Sequence, residues 1–204
     1  MFVEWDDRTH RVERPRRWND HPWALESLMV NLVGLWTDEF SLPHALGNER
    51  LPGDWIIRRG ATPEQKLASL QKILAKTSAA FTADKKLVKR DVIVAHGTFS
   101  KDDFPDGIVQ VSLAEDGNNV RQNGEAKYYF RQLGDSLGKP IVNEWKGCEA
   151  ATVQFSIANL HLTTLTKPAA ESRRADVLDR IGVQMKVSFT QESREMETWV
   201  ITPN

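Results

Sequence analysis

One cysteine, Cys148, stands in a chain of 204 residues. A lone thiol forbids an intrachain disulfide and any zinc site built on several cysteines. It is compatible with the cytosol and does not exclude an oxidising compartment. Charge of one sign is also missing. The 27 Lys and Arg face 28 Asp and Glu, a formal net charge of −1. There is no global basic field to draw in nucleic acid, so no nucleic-acid partner is expected. The locally basic stretch from His10 to Arg17 reads as a solvated arm. No apolar run approaches the roughly 18 residues that a membrane-spanning helix needs, so no transmembrane segment is expected. The start of the chain, Met1 to Arg11, is too charged for a secretory signal, and an exported form would carry its signal upstream.

Chemical motifs are equally sparse. No HExxH, GxSxG, Walker A or GxGxxG pattern occurs. The histidines are His10, His21, His44, His96 and His161, and no two stand four residues apart. His161 reads as a hydrogen-bonded edge histidine rather than a ligand. Asp102, Asp103 and Asp106 cluster in a turn-rich stretch. Calcium takes such oxygen ligands, but the distal bidentate Glu of an EF-hand is missing, and a plain acidic turn is the expectation. Glu144 and Glu149 flank Trp145 and could act as an acid–base pair. Two carboxylates near a tryptophan are common without catalysis. No catalytic residue, metal or cofactor is assigned.

What the chain does have is an ordinary globular composition, 40% hydrophobic and 27% charged, and a pattern that recurs. Residues 66–96 and 170–202 each read as an amphipathic helix, an apolar strand, a charged turn and a second apolar strand. The expected turns are residues 83–90 and Gln191–Glu195. Ile73-Leu74 aligns with Val177-Leu178, Phe81 with Met185, and Val92-Ile93-Val94 with Thr198-Trp199-Val200, with one small gap. The leading helices match more loosely, Leu28 with Phe130 and Leu35 with Leu137.

The other elements follow from periodicity and punctuation. Leu25, Leu28, Met29, Leu32, Leu35 and Trp36 share one helical face, with Asp20 as its expected cap and Pro22 in its first turn. Residues 37–53 read as a loop, and Trp55-Ile56-Ile57 as a short strand. Thr62-Pro63-Glu64-Gln65 has the form of a capping box, opening a helix with a stripe of Leu67, Leu70, Ile73 and Leu74. Ile108 to Leu113 reads as a strand and residues 115–125 as a flexible loop. A helix is expected from Ala126 to Leu137, stopped by Gly138 and Pro140. Ile141-Val142 enters a short strand. Val153, Phe155 and Ile157 alternate as in a half-buried strand. Residues 163–172 read as a loop before a helix that ends at Gly182.

Seven tryptophans are many for this length, and Trp5, Trp18, Trp23 and Trp36 fall within the first 36 residues. Tryptophan serves cores and contact hot spots alike. Trp5, Trp18 and Trp23 are the candidate partner-binding residues, where the N-terminal arm meets the first helix. A free strand edge is a second candidate for a partner's strand.

The stretch from Val177 to Ile201, with Gly182 at its helix end and Val183 and Met185 opening its strand, resembles the short N-terminal domain of secretins and TonB-dependent receptors. Residues 51–74 and 137–147 are similar to uncharacterised soil-associated bacterial proteins. The resemblance covers roughly residues 50–202 and its motifs are structural. It implies an extracytoplasmic interaction module, periplasmic or secreted, and no catalytic motif comes with it.

The sequence therefore points to an α+β protein of two related helix-plus-mixed-sheet units of α-β-α-β-β type in tandem. The expected divisions are an arm at 1–19, a first repeat at 20–98, a joint with one strand at 99–124 and a second repeat at 125–204. The expected role is a non-enzymatic binding or assembly module with a protein partner, part of a larger extracytoplasmic bacterial protein. The alternative is a hydrolase-like enzyme with a site between the halves, using Glu144, His161 or the carboxylates at 102–106.

Overall fold

The structure, a computed structural model, describes residues 2–13, 22–113, 122–156, 162 and 165–204. It is an α+β fold. In chain order the elements are β1 (Phe2–Asp6), β2 (Arg11–Glu13), β3 (Trp23–Ala24), α1 (Leu25–Leu28) running into a π-helical turn (Met29–Val33), β4 (Phe40–Ser41), α2 (His44–Gly47), β5 (Arg50–Leu51), β6 (Trp55–Arg58), α3 (Pro63–Leu74) and β7 (Phe81–Thr98). Then come β8 (Ile108–Ser112), β9 (Gln122–Glu125), α4 (Ala126–Leu137), β10 (Ile141–Lys146), a 3-10 turn (Cys148–Ala150), β11 (Thr152–Ser156), α5 (Lys167–Met185) and β12 (Val187–Pro203). The chain forms two compact units, Met1–Leu87 with Glu197–Asn204, and Val88–Met196.

Both expected hairpins are single long strands. Residues 83–90 lie inside the 18-residue β7, and Gln191–Glu195 inside the 17-residue β12. A two-residue hairpin needs Gly, Asn or Asp where φ turns positive. Residues 84–90 offer only Asp84 before a run of Lys, Leu, Val and Arg, and Gln191–Glu195 offers none. Charge favours the extended alternative. β7 and β12 are neighbours in a four-stranded sheet ordered β10-β7-β12-β4. Their cations and carboxylates meet across the pair, Lys85 Nζ lying 2.9 Å from Glu197.

In the first unit, β1 is the central strand of a sheet ordered β2-β1-β6, so residues 2–13 are sheet rather than a loose arm. β1 runs parallel to β6 and antiparallel to β2. Asp6 locks the corner. Its carboxylate accepts the Arg8 amide at 2.8 Å and Arg59 Nη1 at 3.0 Å. The Arg8 amide above all holds its pKa below the ordinary carboxylate range. The stabilisation is therefore present above that range and is lost as acid protonates Asp6.

The core of this unit gathers Leu25, Leu28, Met29, Leu32, Trp55, Ile57, Leu67, Leu70, Phe81 and, from the end of the chain, Ile201. The first helix is shorter than its periodicity suggests. Ala24 holds the N-cap position rather than Asp20, because Trp23–Ala24 pair with Arg50–Leu51 as β3 and β5. The helix stops at Gly34, whose φ of 86° suits glycine. Residues 37–53 are not all loop, since β4, α2 and β5 fall there. The capping box forms as expected, Gln65 N donating to Thr62 Oγ1 and Thr62 N to Gln65 Oε1. Ile73 leaves its expected stripe and stands 62% exposed.

In the second unit, β8 runs parallel and β9 antiparallel to β11, in a sheet ordered β8-β11-β9. Residues 122–125 of the expected loop are thus strand. α4 spans its expected residues and ends in a Schellman motif, Lys139 N donating to Gly134 O and Gly138 N to Asp135 O. Tyr129, Phe130, Leu133 and Leu137 of α4 pack with Ile93, Val109, Val111, Val153, Phe155, Val177, Leu178 and Ile181.

α5 begins at Lys167, inside the expected loop, because Thr166 takes the cap position and a proline sits in the first turn. It also continues past Gly182 to Met185 and turns out through Lys186, at φ 56°. Gly182 is there for space. A Cβ on it would stand 2.8 Å from the carbonyl oxygen of Val187. Gly182→Ala should therefore lower stability, although alanine is the better helix former by roughly 1 kcal/mol. Thermal unfolding checks this, and a raised midpoint would show that the contact relaxes freely.

Candidate functional site

Two concave surfaces are built well enough to compare. The first lies in the second unit, over β7, β10 and the turn that follows β10. It is a broad depression of about 740 Å³ that includes His96, Asn143, Glu144, Trp145, Cys148 and Glu149. The parallel pairing of β10 with β7 sets Glu144 directly opposite His96. The imidazole Nδ1 lies 3.2 Å from Glu144. Nε2 lies 2.9 Å from Thr190 Oγ1 and 3.5 Å from Glu192. Arg194 closes the cluster, reaching Glu144 at 2.5 Å and Glu192 at 2.8 Å. Its hydrogen bond is the main reason that the Glu192 pKa sits below the ordinary carboxylate range. The two carboxylates in turn raise the pKa of Arg194.

This arrangement is a cross-strand pin. A catalytic histidine holds a carboxylate through one nitrogen and takes the proton of its nucleophile through the other. His96 Nε2 meets Thr190 Oγ1, but that hydroxyl donates its proton to Glu192 at 2.9 Å, and both oxygens of Glu144 are held, one by Arg194 and one by His96. Glu149, the other member of the expected pair, lies exposed in the 3-10 turn. Cys148 is half-buried and accepts a hydrogen bond from Asn143 Nδ2 at 3.2 Å. Asp102, Asp103 and Asp106 are exposed turn residues. No group of three or more His, Cys, Asp or Glu is arranged to hold a metal among the described residues. His161 lies outside the described residues.

The second surface belongs to the first unit. A groove of about 390 Å³ runs between β6 and α3, lined by Trp55, Ile56, Ile57 and Arg58 on one side and by Gln65, Lys66, Ser69, Leu70 and Ile73 on the other. Its walls are mainly apolar, and among the described residues its only ionisable side chains, Arg58 and Lys66, are cationic. Arg58 pairs with Asp7 at 3.2 Å at an exposed position.

Two of the tryptophans selected from the sequence lie on strands of this unit. Trp5 sits on β1, half-buried, its indole N–H donating to Asp7 at 2.7 Å. Trp23 sits on β3, half-buried and packed against the first core. Trp18 lies outside the described residues. The sequence reading missed the groove, although its parts were in view. No local signal marked it, because Ile73 stands at core spacing in the sequence and is exposed only in the fold. Among the described residues, no helix is long and apolar enough to cross a membrane. Comparison with protein-family models, with curated proteins and with solved structures finds no match.

Proposed function

We propose that the chain is a non-enzymatic binding or assembly module, built by tandem duplication and belonging to a larger extracytoplasmic bacterial protein. The observation that carries the binding role is the apolar groove along β6 and α3, set against a polar depression in which His96 and Glu144 are held by cross-strand contacts. The resemblance to the short N-terminal domain of secretins and TonB-dependent receptors supports the extracytoplasmic setting and a protein partner. Trp5 and Trp23 remain proposed contact residues.

Strand register supports the duplication. β10 pairs with β7 so that Ile141 meets Ile93, and β4 pairs with β12 so that Phe40 meets Trp199, both in parallel. Setting Ile93 against Trp199 sets Ile141 against Phe40. The shift that relates Phe40 to Ile141 also lays Leu25, Leu28, Met29, Leu32 and Val33 on Ala126, Tyr129, Phe130, Leu133 and Gly134, all buried. On this alignment Phe81 corresponds to Val187 rather than Met185, and the gap between the two long strands disappears. Each repeat then gives the far half of its long strand to the compact unit of the other.

A panel of hydrolase and transferase substrates tests the non-enzymatic reading. No turnover is expected above the level of the heat-denatured chain. Turnover abolished by Glu144→Gln would replace this reading with the enzymatic one.

A further inference from the structure

We propose that the outer edge of β6 accepts an extended segment of a partner protein, added antiparallel, in which apolar side chains alternate with acidic ones. The inference rests on the binding-module reading and gives it a site and a partner chemistry.

Backbone geometry exposes the edge. Arg59 N donates to Trp5 O at 2.7 Å, so the amides of Ile57 and Arg59 face β1. Successive residues of a strand alternate in direction, and the amides of Ile56 and Arg58 therefore face away from it. β6 ends its sheet, and those two amides have no partner among the described residues. An unpaired edge is a template for another strand.

The second unit covers its corresponding edges. β8 and β11 are its parallel pair, as β1 and β6 are in the first. The far side of β11 carries β9, antiparallel. The far side of β8 carries Gln184 of α5, which accepts from Ser112 N at 2.8 Å and donates to Ser112 O at 3.3 Å. β6 has neither device among the described residues. The element that precedes α1 as β9 precedes α4 is β3, and it pairs with β5 instead. Among the described residues, no strand takes on β6 the place that β9 fills on β11.

The groove supplies the specificity. Ile56 stands 72% exposed at its rim, a cost that the apolar face of an added strand would relieve. Lys66, on α3 at the other face, is half-buried and makes no ion pair, and no carboxylate lines the groove, among the described residues. The acidic face of the incoming strand would meet Lys66, while Arg58 shares the face of Ile56 and is paired with Asp7. Two copies of this chain joined through β6 would bring together two cationic grooves, so the charge favours a different, acidic partner.

The test uses the isotope-labelled full chain and two soluble peptides, one alternating valine with glutamate and one alternating valine with lysine. The glutamate peptide should bind saturably, shift the amides of Ile56 and Arg58, and bind at least about tenfold more tightly than the lysine peptide. Ile56→Pro removes an outward donor without touching the ladder to β1 and should weaken binding by about tenfold or more. Lys66→Glu, which leaves β6 intact, should reverse the preference between the peptides even if the proline variant fails to fold. Equal binding of the two peptides, shifts away from residues 55–73, no binding, or self-association through β6 without peptide would each overturn the assignment. Those outcomes leave the module reading standing, because that reading falls on turnover.

Discussion

Replacing Ile201 by alanine should destabilise the first unit by about 2–5 kcal/mol, the range for truncating a large buried aliphatic side chain. The position looks unpromising, three residues from the end of the chain, where termini commonly tolerate change. Its burial says otherwise. Ile201 is 2% exposed and packs in one core with residues of α1, β6 and α3. The strand that carries it is fixed by its neighbours, Trp199 N donating to Glu39 O at 2.9 Å and Asn204 N to Ala80 O at 3.0 Å. Truncation removes three methyl-sized groups from a packed site and leaves a void that the backbone can only partly close. Urea unfolding gives the magnitude, and hydrogen exchange locates it. Amides of α1 and α3 should lose more protection than those of α4. A loss below about 0.5 kcal/mol, the range of surface substitutions, would place Ile201 outside the core.

Phe155→Ala should cost about 3–5 kcal/mol in the second unit. Phe155 is 1% exposed on β11, which is the central strand of its sheet. Its ring meets Tyr129 edge-on, with centroids 4.9 Å apart, and Tyr128 at 6.2 Å. The loss therefore combines a large buried area with an aromatic contact. Tyr129 has little room to move into the space, since Phe130 lies against it at 5.5 Å. The same unfolding measurement checks this, and Phe155→Leu should recover part of the loss by refilling volume.

Elements that are decided locally were legible in the sequence. α4 was readable to the residue because its apolar period, its αL glycine and the following proline agree. α3 announced its start through the Thr62 capping box, and β6 through three large apolar residues between glycines. Elements decided by distant pairing were not legible. The charged centres of β7 and β12 look like turns to a local reading, and the partner that makes them strands lies on the other long strand. Trp23–Ala24 and Arg50–Leu51 carry no strand signal of their own and exist as a pair.

Gly182 and Ile73 show the same limit at single residues. A glycine near a helix end reads as a stop, yet this one admits the Val187 carbonyl at close approach. An isoleucine at helical spacing reads as core, yet this one faces a groove. The candidate site was legible only as a type. A free strand edge was foreseeable as a contact surface, but identifying β6 required its register with β1. The pin at His96 assembles residues from three strands, so sequence spacing alone could not bring them together.

Residue-resolved amide exchange along β6 tests the central claim most directly, because it needs no ligand and no variant. The amides of Ile57 and Arg59 face β1 and should be protected. Those of Ile56 and Arg58 face outward and should exchange much faster, close to the rate of an open strand edge. Fast and slow amides alternating along this strand would show an edge free to take a partner. Uniform protection from Ile56 to Arg59 would mean that another part of the chain already covers it, and the proposed docking site would be lost.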